Sequence, residues 1–161
     1  MARARVVADA SGLIALQHVE GLPLLDKLFG EILIPPAVAR EVAPGLPTLP
    51  PWIQICPVGK KTDERVLAAN LGAGETEVLA LGIESEDAWL ILDDARARRL
   101  AAELGLRVLG TAAVLLEAKR ANLIPSVRPL LDTILAKGFR LSPKVYQIVL
   151  EKAGEAESST A

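Results

Sequence analysis

The sequence is poor in aromatic side chains, 3% of its residues, and it has one cysteine, Cys56, and one histidine, His18. With so few rings, a core must be filled by Leu, Ile, Val and Ala, which the 51% hydrophobic share supplies. A lone cysteine excludes an internal disulfide and reads as a small half-buried residue in a reducing cytosol. No run of about 18 apolar residues occurs, so no membrane span is expected. The basic start, Met1-Ala2-Arg3-Ala4-Arg5, leads into an apolar stretch too short for a secretory signal. The expectation is therefore a cytoplasmic protein. Nor is there a surplus of positive charge: 18 basic against 20 acidic residues give a net charge of −2. That excludes holding nucleic acid by bulk charge, but not a local basic patch. At 161 residues, one domain can bury roughly two-thirds of the surface its unfolded chain exposes.

What is present is an alternation of short apolar runs with helical periodicity. Arg5 to Asp9 reads as a buried strand ending in a carboxylate, and Ser11-Gly12 opens a helical pattern through Leu13, Ile14 and Leu16. A second helix follows Pro23. Ile32-Leu33-Ile34 is the second strand, and Pro35-Pro36 ends it and starts a helix carrying Val38, Glu41 and Val42. Four prolines and a glycine within residues 43 to 51 make a loop of restricted shape. Trp52 to Val58 is expected as an edge strand, Thr62 to Asn70 as a helix, and Glu75 to Glu86 as a strong helix after Gly72 and Gly74. Trp89 to Leu92 is a buried strand ending in Asp93-Asp94. A helix carrying Ala97, Leu100, Ala101 and Leu104 follows, then a short strand, Arg107 to Leu109. Helices are expected over Thr111 to Ala121, with Thr111 as a cap, over Ser126 to Lys137 and over Ser142 to Lys152. The pattern predicts an α/β fold: a mainly parallel central sheet flanked by helices, with a C-terminal helical extension. It forms a single domain over residues 1–153, and residues 154–161 read as a polar, disordered tail.

The carboxylates carry the chemistry. Asp9 and the Asp93-Asp94 pair follow buried strands, and ligands of open parallel sheets bind beyond the carboxyl ends of the strands. A carboxylate there loses solvation and is tolerated when it is paired or binds a cation. Asp9 would also serve as the N-cap of the next helix, and the doublet would cap its own. Glu41, beside an apolar stripe, faces either inward or to solvent. Glu75 shares its helix face with Val78, Leu79 and Gly82, which makes it a better inward group than Glu77.

Four ordered blocks carry a resemblance. Val6-Val7-Ala8-Asp9-Ala10-Ser11, with Leu13-Ile14-Ala15-Leu16 behind it, is similar to the opening of a PIN domain. So are Ile34-Pro35-Pro36-Ala37-Val38-Ala39-Arg40-Glu41-Val42 and Leu71-Gly72-Ala73-Gly74-Glu75-Thr76-Glu77. The fourth block is Leu90-Ile91-Leu92-Asp93-Asp94-Ala95-Arg96-Ala97-Arg98 with Leu106-Arg107-Val108-Leu109-Gly110-Thr111. The Gly-Glu form of the third block, the Asp doublet and Gly138-Phe139-Arg140-Leu141-Ser142 resemble a prokaryotic subgroup allied to the VapC-type toxins of toxin–antitoxin pairs.

That resemblance implies a Mg²⁺- or Mn²⁺-dependent endoribonuclease. Its acidic cluster falls on Asp9, Glu41, Glu75 and the 93–94 pair, with Asp9 and Asp94 as main ligands and Asp93 sharing the work. Glu41 and Glu75 are further ligands or water-orienting bases. Ser11 matches a hydroxyl that supports the first Asp, and Thr111 stands at the end of the fourth block. Relatives outside the subgroup usually have Asp where Glu75 stands. Arg96, Arg98 and Arg99 would guide RNA phosphates, or else form a solvated face balancing nearby acids. Trp52 and Trp89 read as core or rim residues, so base recognition would fall to loops or to RNA shape. No histidine is required, and His18 reads as a partly buried packing residue. The implied partners are RNA, an antitoxin protein and a second copy in a homodimer.

Two other classes compete. A non-catalytic PIN-like binding module fits the net negative charge. A phosphatase of the haloacid dehalogenase type also has a strand-end Asp, but it expects a second Asp two residues on, where this chain has Ser11.

Overall fold

A computed structural model of the chain describes residues 5–156. The elements run β1 (Val6–Ala8), α1 (Ala10–His18), α2 (Pro23–Phe29), β2 (Ile32–Ile34), α3 (Pro36–Val42), β3 (Ile53–Ile55) and α4 (Glu64–Ala68). They continue with α5 (Ala73–Glu84), β4 (Trp89–Ile91), α6 (Ala95–Glu103), β5 (Arg107–Leu109), α7 (Thr111–Arg120), α8 (Arg128–Ala136) and α9 (Pro143–Lys152). Met1 to Ala4 of the basic start, and residues 157–161 of the polar tail, lie outside the described residues.

The strands are short and built from Val, Ile and Leu because the sheet is covered by helices. Val7, Ile32, Ile34 and Leu90 are fully buried. All four strand pairings are parallel, and the order across the sheet is β3-β2-β1-β4-β5. The chain leaves central β1 toward β2 and β3, then returns to lay β4 on the other side of β1, with Ala8 opposite Ile91. Successive connections therefore depart from β1 and β4 in opposite directions. Such a reversal opens a crevice at the carboxyl ends of those two strands. As expected, Ile53–Ile55 is an edge strand.

Helix α5 begins two residues before the glutamate expected to start it, with Gly72 in extended backbone as its N-cap. Glycine is tolerated there because the first helical N–H groups have no intrahelical partner in any case. The shift places Gly74 and Glu75 in the first turn. The C-terminal extension packs α8 and α9 onto α7 and α1 through buried Leu131, Ile134, Val149 and Leu150.

Of the tail expected to be disordered, the described part, residues 154–156, is instead tied down at Glu155. Its carboxylate accepts from the Val127 N–H at 2.8 Å, the Arg128 N–H at 2.9 Å and the Lys119 ammonium at 3.0 Å. The start of α8 has no side-chain cap of its own, so Glu155 supplies the missing acceptor. Burial pushes this carboxyl up, but those N–H groups and Lys119 hold it below its ordinary value. His18 is exposed in the last turn of α1 and is not a packing residue. No helix among the described residues is long and apolar enough to cross a membrane.

Candidate metal centre

Asp9 follows β1 directly, and its backbone N–H donates to the Ile91 carbonyl at 3.0 Å, pinning it at the β1–β4 crevice. It occupies the N-cap position of α1, yet its side chain makes no cap bond. The residue is 3% exposed, and its Oδ1 is buried without a hydrogen-bond partner. Such a carboxylate costs free energy in its charged form. Burial, and next the Glu75 charge, push its carboxyl up from 3.8 to about 7; the Ala10 N–H opposes this, and Glu41 and Asp93 add to it.

Glu41 and Glu75 come from two helices, α3 and α5, locked to each other through carboxylates on their N-terminal N–H groups. The Gly74 N–H in the first turn of α5 hydrogen-bonds to Glu41 of α3. In return, the Ala37 N–H in the first turn of α3 donates to Glu77 of α5 at 3.0 Å. Each helix thus hands a carboxylate to the other's orphaned N–H groups. Glu77, ranked below Glu75 in the sequence reading, is therefore the residue that fixes α3 against α5. The bare helix start after Pro35-Pro36, in need of an acceptor, was the signal for it. A Cβ on Gly74 would stand 2.7 Å from Glu41 Oε1 and 3.0 Å from Asp9 Oδ1. Both carboxylates therefore face the same small gap. Burial first, and then the Glu75 charge, push the Glu41 carboxyl up. Glu75 folds back over the start of α5, where a Cβ on Gly72 would meet its Oε2 at 2.5 Å.

From the doublet, the structure brings Asp93 and not Asp94 to this group. Asp94 is exposed and caps α6, accepting from the Ala97 N–H at 2.9 Å. Asp94, expected as a main ligand, stands instead as the N-cap of the helix that starts at Ala95. Asp93 is the strand-end acid. Its Oδ1 accepts from the Thr111 N–H at 2.8 Å and its Oδ2 from the Thr111 hydroxyl at 2.6 Å. Burial pushes Asp93 up, against the pull of Thr111, Arg98 and the Ser11 hydroxyl. Ser11 accordingly supports Asp93, where the resemblance assigned it to the first Asp. Thr111 is the first residue of α7, after an extended Gly110 N-cap, and it clamps Asp93 instead of capping the helix.

The three arginines separate. Arg98 reaches back to the Leu92 carbonyl at 3.3 Å and lies beside Asp93. Arg96 and Arg99 share another face of α6 and line an open groove of about 440 Å³ with Arg65 and Glu103. Arg96 is tied there to the Ala69 carbonyl at 2.6 Å. Trp89 is a rim residue, stacked under the Arg107 guanidinium 4.9 Å from its ring centre.

Among the described residues, no three His, Cys, Asp or Glu side chains already form a metal-holding group. Mg²⁺ does not need one, since it keeps several waters and typically takes one or two carboxylates. The donor atoms are all hard carboxylate oxygens. One of them is buried without a partner and shares a gap with Glu41. The residues present therefore fit a small divalent cation held by Asp9 and Glu41 with water completing the shell.

No curated protein and no solved structure matches the chain. A family model described as a PIN domain matches residues 5–155. With the parallel sheet, the switch-point crevice and the strand-end acids, this places the chain in the PIN-domain family.

Proposed function

We propose that the chain is a metal-dependent ribonuclease that hydrolyses RNA phosphodiester bonds. The observation that carries this is the buried Asp9 Oδ1, unpartnered and facing Glu41 across a glycine. A buried structural carboxylate would have both oxygens hydrogen-bonded; one with an oxygen left unpartnered and crowded by other acids is suited to a cation. Asp9 and Glu41 would hold Mg²⁺ or Mn²⁺. When bound, the cation would lower the pKa of nearby water and stabilise charge building on the phosphate.

The chain's own groups do the rest. Glu75, whose charge acts on both Asp9 and Glu41, orients the attacking water and accepts its proton on the carboxylate as the new P–O bond forms; the P–O bond to the departing sugar oxygen breaks, and that oxygen takes up a proton from solvent. Asp93 is held on both oxygens by Thr111, which makes it a fixed negative wall beside the water. Arg98, next to Asp93, supplies the positive group that meets a phosphate oxygen. RNA as the polymer, an antitoxin partner and a homodimer rest on the likeness to the VapC-type toxins.

The test is hydrolysis of a labelled single-stranded RNA in Mn²⁺, with EDTA and with Asp9→Asn. Cleavage that both treatments abolish supports the reading. Cleavage that survives Asp9→Asn, or no cleavage of any RNA or DNA in Mn²⁺ or Mg²⁺, refutes it. The second outcome would favour a non-catalytic interaction module.

A further inference from the structure

We infer that Gly74 is a positioning residue that keeps the cation seat open, and that the seat's capacity is set by the missing Cβ between Asp9 and Glu41. This rests on the metal-dependent reading above and goes beyond it by naming a backbone position with no ligand atom of its own. A Cβ built on Gly74 has three nearest neighbours: Glu41 Oε1 at 2.7 Å, Asp9 Oδ1 at 3.0 Å and the Glu41 carboxyl carbon at 3.3 Å. All are carboxylate atoms, and none is backbone or core. The gap is therefore lined on the acid side by the two groups proposed to hold the ion.

Backbone conformation does not explain a glycine here. Gly74 lies inside α5 without a positive φ, so an L side chain is conformationally allowed and alanine is the better helix former. The position gives up helix propensity to keep the space. Gly82 in the same helix differs: there a Cβ would run into Leu90 at 2.9 Å, a packing requirement. At Gly74 the space is polar, and it borders the buried oxygen that has no partner.

In the Gly74→Ala chain, the methyl must displace the free end of Glu41, because Asp9 is fixed at the strand end. Cation–oxygen bonds of ~2.0–2.6 Å leave no room for a methyl group in the same gap. Shortening Glu41 in the same chain withdraws its carboxylate and reopens space.

The experiment is Mn²⁺ titration calorimetry on the full chain, with thermal unfolding in EDTA, for the wild type, Gly74→Ala and Gly74→Ala/Glu41→Asp. The expected result is Mn²⁺ affinity reduced at least ~10-fold by Gly74→Ala, the scale seen when groups supporting a metal site are altered. Its unfolding temperature in EDTA is expected to change little, the gain in helix propensity offsetting the displaced Glu41 bond to the Gly74 N–H, and the double variant should recover part of the affinity. A position needed only for packing would lower the unfolding temperature and leave the affinity unchanged. Gly74→Ala binding Mn²⁺ like the wild type overturns the inference alone. So does a Gly74→Ala chain that does not fold, since the crowding would then fall on structure and not on the seat. A wild type that binds no Mn²⁺ overturns the metal-dependent reading and the inference with it.

Discussion

Replacing Asp9 by Asn should make the metal-free protein more stable, not less. The Asp9 carboxyl is pushed from 3.8 to about 7 in the fold, so the folded state binds this proton more tightly than the unfolded chain does. Its contribution to stability is fully present below the ordinary value. It is lost as pH rises through about 7, and the charged form weighs against folding above that. At ~1.4 kcal/mol for each pH unit, the rise corresponds to roughly 4 kcal/mol at full burial. Asn has the same shape without the charge. In EDTA at pH 8, Asp9→Asn should therefore exceed the wild type by a few kcal/mol, up to ~4. In a domain of this size each kcal/mol raises the unfolding temperature by ~2–4 °C. At pH 4 the two chains should nearly coincide. The assay is urea unfolding of both proteins at the two pH values, which reads Asp9 together with its coupling to Glu75, Glu41 and Asp93. Adding Mn²⁺ should then stabilise only the wild type. An Asn variant less stable than the wild type at pH 8 in EDTA, and by the same margin at pH 4, would instead make Asp9 a satisfied structural carboxylate.

Three further outcomes separate the supporting residues. Asp94→Ala should cost ~1 kcal/mol in urea unfolding through the lost α6 cap, with Mn²⁺ affinity by calorimetry unchanged. Thr111→Val keeps the backbone bond to Asp93 but removes the 2.6 Å hydroxyl bond. It should destabilise by ~1–3 kcal/mol in urea unfolding, and the Asp93 carboxyl followed by NMR should titrate at higher pH than in the wild type, because a group that pulls it down is gone. Glu155→Ala should cost ~3 kcal/mol at pH 7 by urea unfolding, from the loss of charge-assisted bonds at the start of α8. Because the Glu155 carboxyl lies below its ordinary value, the difference from the wild type should shrink as pH falls below that value.

The order and type of the elements were legible because short apolar runs and helical stripes have different periods. Strand-end placement of Asp9 and the doublet followed from the same pattern. Within the doublet, local and distant demands compete for adjacent residues. Asp94 goes to the nearest N–H groups, those of α6, which leaves Asp93 for the crevice. The capping rule applied to a helix starting at Ala95 carried that distinction. Helical spacing also carried the split among the arginines: Arg96 and Arg99 are three residues apart and share a face, whereas Arg98 is turned away from both. Gly74 read only as punctuation before a helix, since nothing local reveals that Asp9 and Glu41 arrive from elsewhere to flank it. Glu155 was hidden for the same reason, its partners at Lys119, Val127 and Arg128 being distant in the chain.

The most direct test of the central claim is a crystal structure of the chain soaked in Mn²⁺, read by anomalous scattering. A peak is expected in the gap beside Gly74, within bonding distance of Asp9 Oδ1 and a Glu41 oxygen. A peak at exposed Asp94, or none at the β1–β4 crevice at saturating Mn²⁺, would contradict that claim.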